Sequence, residues 1–338
     1  MIRLLSGILL AALSLSQASY ASNLDVDRDI VREFVDELVN EYDFDRDQLY
    51  SLLAGAKTQQ SILDAISRPA EKSKPWHEYR DIFIQPKRID AGVAFWNEHA
   101  DTIESISRQT GVPGEILVGI IGVETYFGRI TGRYRVLDAL TTLGFDYPPR
   151  ATFFRKELRE FLLLAREEQV DIDTALGSYA GAMGSPQFIP SSYRAYAIDA
   201  DNDGRRDLFA SWDDIIGSVA NYFVRHKWRE DGAVVSNARL SDGFSGEIPA
   251  RNSLKADSTV GELSNAGVAI EQPLAPDAAA RLIAFEGESG PSYFVGYHNF
   301  YVITRYNRSA MYAMAVWQLG NDIAAARSAA MTAEAGRP

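Results

Sequence analysis

The segment "ILVGIIGVETYFGRITG" (residues 116–132) decides the fold. From Ile116 to Val123 no side chain is polar, and Glu124 follows directly. Upstream, Pro113 suits a first helical turn and Glu115 suits a helix N-terminus; downstream, Gly128 suits a stop. A helix apolar all round is buried, so the segment predicts a helix inside the core. A carboxylate beside apolar groups favours its protonated form. A general acid needs that form near neutral pH. The bland alternative is a Glu at a helix end, pointing to water.

Outward from that helix the pattern is mostly helical. "DRDIVREFVDELVNEY" places Ile30, Phe34, Leu38 and Tyr42 at steps of four, an amphipathic face. "RDQLYSLLAGA" reads as a second helix. Pro75 and Pro86 in "EKSKPWHEYRDIFIQPKR" predict loop or extended chain. "IDAGVAFWNEHADTIESISRQTG" reads as one long helix stopped by Gly111. "RATFFRKELREFLLLAREEQVD" and "SWDDIIGSVANYFVRHKW" are further helices. A final helix runs from about Ser309 to Met331 and ends in a polar tail. From about Asp231 to Thr304, glycine, serine and proline rise. There "ARLIAFE" and "YFVGYHNFYVITRY" read as strands, with a short helix near "TVGELSNAG". The predicted fold class is mainly α (α+β), with a small β-rich unit late in the chain.

The 338 residues suggest two domains, or one with an insertion. Cysteine is absent, which excludes disulfides, zinc–thiolate sites, a cysteine nucleophile and an N-terminal lipidated cysteine. "MIRLLSGILLAALSLSQASYAS" predicts a secretory leader cleaved after Ala21: Arg3 begins it, Leu4 to Leu15 are largely apolar, and Ser19 and Ala21 are small. The expected product is exported, soluble and without a membrane anchor. Net charge is −12, or −13 once Arg3 leaves with the leader (33 basic against 46 acidic). Such acidity argues against nucleic acid as a partner, and an anionic polymer would need local contacts.

"DADNDGRRDLFASWDD" (199–214) places Asp199, Asp201 and Asp203 at positions 1, 3 and 5 of an EF-hand-like loop, with Gly204 at the sharp turn. Arg205 offers its backbone carbonyl. Position 12 is Ala210 instead of Glu, so a later residue, Asp213 or Asp214, would close the loop. Calcium is the expected ion. A solvated acidic turn is the plain alternative.

The 16 tyrosines, five tryptophans and loop amides suit sugar rings. Glycoside hydrolysis usually uses two carboxylates, yet no convincing second one accompanies Glu124: "TTLGFDYPPR" offers Asp146, whose Pro-Pro-Arg context suits a loop. A single acid implies that the substrate supplies its own nucleophile.

Three blocks, "IIGVETYFGRITGRYRVLDALTTLGFDYPPRATFF", "LGSYAGAMGSPQFIPSSYRAYAIDADNDGRRDLFASWDDIIGSVANYF" and "FYVITRYNRSAMYAMAVWQLG", together resemble the lytic murein transglycosylase B family, from about Lys74 to Gly320. The resemblance implies a lysozyme-like core flanked by a helical domain and a small β domain. The implied organisation is a leader at 1–21, a helical region at 22–105, a catalytic core at 106–230, a β-rich domain at 231–304 and a returning segment at 305–338. It also implies cleavage of the β-1,4 bond between N-acetylmuramic acid (MurNAc) and N-acetylglucosamine (GlcNAc) in peptidoglycan. The product is a 1,6-anhydro end, formed without water.

By the same resemblance Glu124 is the sole catalytic carboxylate, acting as acid and then as base. Tyr79, Arg150, Ser178, Gln187, Tyr222, Tyr306, Asn307 and Tyr312 carry over as substrate contacts. Asp199, Asp201, Asp203, Arg205 and Asp214 carry over as the holders of a structural calcium. No organic cofactor is implied. The partners implied are glycan strands and other cell-wall enzymes, with a monomer in the periplasm. Pro149 stands where the family often has a second arginine, a weaker anionic grip. Two alternatives remain open: a hydrolytic muramidase, and a peptidoglycan-binding protein without catalysis.

Overall fold

The computed structural model describes residues 21–67, 74–249 and 254–335. All of the expected leader except Ala21 lies outside them, as does the end of the polar tail. Ala21–Asn23 forms strand β1, antiparallel to β2 (Lys57–Gln59). Between them, helices Asp29–Tyr42 and Arg46–Ala54 present Val31, Phe34, Leu38, Leu49 and Leu53 to the core. Asp45 caps the second helix by accepting from the Gln48 N–H at 2.8 Å.

The expectation of loop around Pro75 and Pro86 is corrected. Both prolines start helices, Trp76–Phe83 and Pro86–Glu98. A proline lacks the N–H that a first turn leaves unpaired anyway, so there it breaks nothing. The single long helix expected before Gly111 is two. It breaks at His99 (φ −113°, ψ 26°) and resumes as Ala100–Thr110. Gly111 (φ 68°) then ends it in the left-handed conformation.

Helix Gly114–Thr125 is the predicted core helix, and every residue from Ile116 to Val123 is buried. It packs against the C-terminal helix Ala310–Ala335. The crossing is close enough to require glycine on both sides. A Cβ on Gly119 would stand 2.5 Å from the Val316 carbonyl, and one on Gly320 would stand 2.1 Å from the Glu115 carbonyl. One continuous core surrounds this pair and runs from Leu24 to Ile323.

β3 (Tyr134–Arg135) pairs with β4 (Leu176–Gly177) beside the segment that follows Glu124. Strands β5 (Val235–Leu240), β6 (Ser258–Thr259), β7 (Val268–Ile270), β8 (Ala279–Gly287) and β9 (Gly290–Gly296) form one antiparallel sheet in the order β6-β8-β9-β5-β7. Its own small core includes Ala238, Val260, Leu263, Leu282 and Val295. Phe285 leaves that core to stack on Trp76, with ring centroids 4.9 Å apart.

The second half of "YFVGYHNFYVITRY" departs from expectation. The strand ends at Gly296 and His298–Ile303 is helical. Asn299, fully buried, accepts from the Arg229 N–H and donates to the Arg229 and Gly232 carbonyls. Those bonds tie the turn of helix to the core instead of extending the sheet.

Candidate active site

Glu124 is the penultimate residue of the core helix. The chain then turns out of the helix through two consecutive left-handed residues, Tyr126 (φ 52°) and Phe127 (φ 58°). That conformation is strained for bulky side chains, so neighbours must hold it. The Tyr126 N–H bonds the Gly122 carbonyl at 3.2 Å, and the Phe127 N–H bonds that of Ile121 at 3.3 Å. Thr125 Oγ1, buried, donates to the Ser185 carbonyl at 2.8 Å. The Arg88 and Arg129 guanidinium groups lie 4.8 Å and 4.9 Å from the Tyr126 ring centre.

Glu124 itself is half-buried, not enclosed by the apolar run. The helix body is buried, but its last turn opens onto a cleft of about 930 Å³. Its Oε1 accepts a short hydrogen bond from the Tyr312 hydroxyl. Tyr312 is 3% exposed, and its ring stacks on that of Tyr306 at 6.5 Å and 14°. Burial first, and the Glu124 charge second, push both phenols well above the ordinary tyrosine value. Both therefore stay protonated and act as donors. Tyr306 donates to the Pro186 carbonyl at 2.7 Å, fixing the loop opposite.

The cleft gathers Arg150, Ser178, Gln187, Tyr222, Tyr306 and Asn307 with Glu124. Ser178 Oγ accepts from the N–H groups of Ala180 (3.2 Å) and Ala182 (3.1 Å), which leaves its hydrogen for a ligand. Gln187 has φ 53° and donates through Nε2 to the carbonyls of Thr131 (2.9 Å) and Gly184 (3.0 Å). Tyr222 donates to the Arg305 carbonyl at 2.6 Å, and burial pushes its hydroxyl upward. The Arg150 guanidinium rests 4.3 Å over Phe153.

Tyr79 is placed differently. It is 2% exposed, packs between Trp76 and Phe83, and lies behind Tyr312 instead of on the cleft wall. Asp146 pairs with Arg28 at 2.6 Å and is not in the lining. Among the described residues lining the cleft, Glu124 is the only carboxylate. Sequence reasoning missed Arg305 and Arg308, which line it too. Their signal was a pair of cations flanking "YN" in an acidic chain.

At the acidic loop, carboxylate oxygens of Asp199, Asp201 and Asp203 lie within 4.8 Å of one another. Gly204 takes φ 91°. Asp214 departs from expectation: it is 0% exposed and its two oxygens accept from the N–H groups of Ala200 and Asp207, both at 2.7 Å. It ties the ends of the loop together and lies outside the three-carboxylate cluster. Asp213 accepts from the Thr102 hydroxyl at 2.5 Å.

The transglycosylase SLT domain matches residues 27–321. The chain belongs to that family. Among its relatives, the membrane-bound lytic murein transglycosylase B of Escherichia coli (strain K12) is 44% identical over 307 residues, 88% of this chain and 83% of that protein. Catenated SltB1 of Pseudomonas aeruginosa superposes with a TM-score of 0.84 at 54% identity, covering 89% of this chain and 98% of that one. The Escherichia coli lytic transglycosylase Slt35 in complex with calcium superposes with a TM-score of 0.82 at 42% identity, covering 91% and 97%. The fold is thus that of the lytic transglycosylases, with a lysozyme-like core. The protein is a lytic transglycosylase, an enzyme acting on peptidoglycan.

Proposed function

We propose that Glu124 performs both proton transfers of the lytic reaction on peptidoglycan glycan strands. The carrying observation is that Glu124 is the only carboxylate among the described residues of a 930 Å³ cleft. Protonated Glu124 gives its proton to the glycosidic oxygen as the bond from muramoyl C1 to that oxygen breaks. The carboxylate then takes the proton of the muramoyl C6 hydroxyl as that oxygen bonds to C1. Atoms balance without water, and the second carboxylate of a hydrolase has no task. Tyr312 positions Glu124 Oε1. Ser178 offers its hydroxyl hydrogen to the muramoyl N-acetyl group. Arg150, Arg305 and Arg308 offset the acidity of the chain where an anionic strand would lie.

Calcium fits the acidic loop as a structural ion. Hard oxygens are the donors calcium takes, and Asp199, Asp201, Asp203 and the Arg205 carbonyl would hold it. The calcium complex of Slt35 supports this assignment. Periplasmic placement is supported by the leader pattern at 1–21 and by the murein named for the Escherichia coli relative. Among the described residues no helix is long and apolar enough to cross a membrane.

Digestion of purified sacculi by wild type and Glu124→Gln, followed by mass analysis, tests the mechanism. Anhydromuramoyl ends from wild type alone are expected. Reducing muramoyl ends would instead identify a hydrolase.

A further inference from the structure

A second groove, of about 620 Å³, runs between helices Asp29–Tyr42 and Ala151–Glu168. Ile30, Glu33 and Phe34 form one wall; Thr152, Arg155 and Lys156 stand on the other. Phe153 lines this groove and the catalytic cleft alike. The Arg150 guanidinium lies over the same ring at 4.3 Å, so it stands where the two meet. Phe153 is thus the side chain at which cleft and groove adjoin, and a bound chain long enough to pass over it would reach both.

The charges of the groove are unevenly used. Arg159 at its far end is paired with Glu37 at 2.6 Å. Arg155 bonds the Gly144 carbonyl at 2.8 Å. Lys156 is exposed and forms no ion pair among the described residues, and neither does Arg150. Glu33, exposed on the facing wall, is likewise without one. The groove therefore offers Lys156 on one wall and Glu33 on the other as charges without an ion pair, with apolar Ile30 and Phe34 beside Glu33 and Arg150 at the cleft end. Its complement is a short, extended chain with carboxylates, an amine and small apolar side chains, joined to a sugar in the cleft.

We propose that this groove binds the peptide branch of the glycan substrate beyond its first residues, with Lys156 taking a stem carboxylate and Glu33 a stem amine. The proposal rests on peptidoglycan being the substrate. A bare sugar chain lacks both charges, so continuation of the glycan itself fits the groove less well.

The test reads binding instead of turnover, which separates it from the proton-transfer assignment. The intact protein is titrated calorimetrically with the GlcNAc–MurNAc disaccharide carrying its stem peptide, and with the same disaccharide lacking it. Neither probe contains a MurNAc–GlcNAc bond to cleave. The peptide should tighten binding to wild type about tenfold, the worth of one charge-assisted contact. Lys156→Ala, an exposed change, and Ile30→Trp, which fills the groove, should each remove that gain and leave bare-disaccharide affinity unchanged. No peptide gain in wild type, or a gain that survives either variant, overturns the proposal. Equal weakening of both probes also overturns it, because the groove would then hold sugar. Failure to form anhydro ends on sacculi would count against the role of Glu124 alone.

Discussion

The Tyr312 hydroxyl donates to Glu124, 188 positions earlier in the chain, and the bond joins the C-terminal helix to the last turn of the core helix. The Glu124 carboxyl is therefore placed by two helices locked at the glycine crossing of Gly119 and Gly320. Tyr312→Phe keeps the buried ring and removes the donor. A hydrogen bond to a charged group is worth about 1.5–3 kcal/mol, so kcat/KM on sacculi should fall about ten- to a hundredfold. An unchanged Tm measured beside the kinetics would assign the loss to positioning.

Glu124→Gln keeps shape and hydrogen-bonding capacity but removes the transferable proton. General acid–base groups contribute roughly 10²–10⁴-fold, so muropeptide release should fall by at least that range. Pull-down with insoluble sacculi should show binding intact. Undiminished release would remove Glu124 from the mechanism.

Gly320→Ala pushes a Cβ to 2.1 Å from the Glu115 carbonyl, backbone that has no side-chain freedom to yield. Overpacking of this kind costs about 1–3 kcal/mol. Urea unfolding should show that loss. Activity should fall with it, because the crossing also sets the distance between Tyr312 and Glu124.

Chelation should lower Tm, and calcium should restore it, because an ion bound only to the native state stabilises that state. At a hundredfold excess over Kd the gain is about 2.7 kcal/mol. Asp201→Asn should weaken the response. Identical melting curves with chelator and with calcium would argue against the ion.

His226 stacks on Tyr222 at 4.1 Å, and burial lowers its pKa from the usual histidine value. The folded state thus takes up the proton at lower pH than the unfolded chain does. The unfolded state then binds more protons below about pH 6.5, so stability falls as pH drops through that window. His226→Phe should flatten the loss, measured as Tm between pH 7 and 5.

Much of the site was legible because its signals are local. An apolar run ending in Glu124 specifies a buried helix with an acid at its end. Alternating aspartates with Gly204 specify a tight oxygen-rich turn. Other features depend on contacts distant in sequence. Pro75 and Pro86 read as breakers because proline spoils a helix interior, yet both lie where a helix begins. Asp214 resembled a ligand, but only folding brings the Ala200 and Asp207 N–H groups onto it. Tyr79 shared the aromatic context of the cleft residues, yet it packs behind Tyr312.

By itself the sequence determined a helical protein with a late β unit, a buried helix ending in a lone carboxylate, and an acidic turn suited to calcium. Periodicity, turn chemistry and residue type act over a few positions, and these features need nothing more. Tertiary structure decided that Glu124 faces a polar, tyrosine-lined cleft, which side chains share that cleft, and that Arg305 and Arg308 join it. Those outcomes depend on close packing between segments far apart in the chain, above all on the crossing at Gly119 and Gly320. No local pattern encodes the distance between two helix backbones.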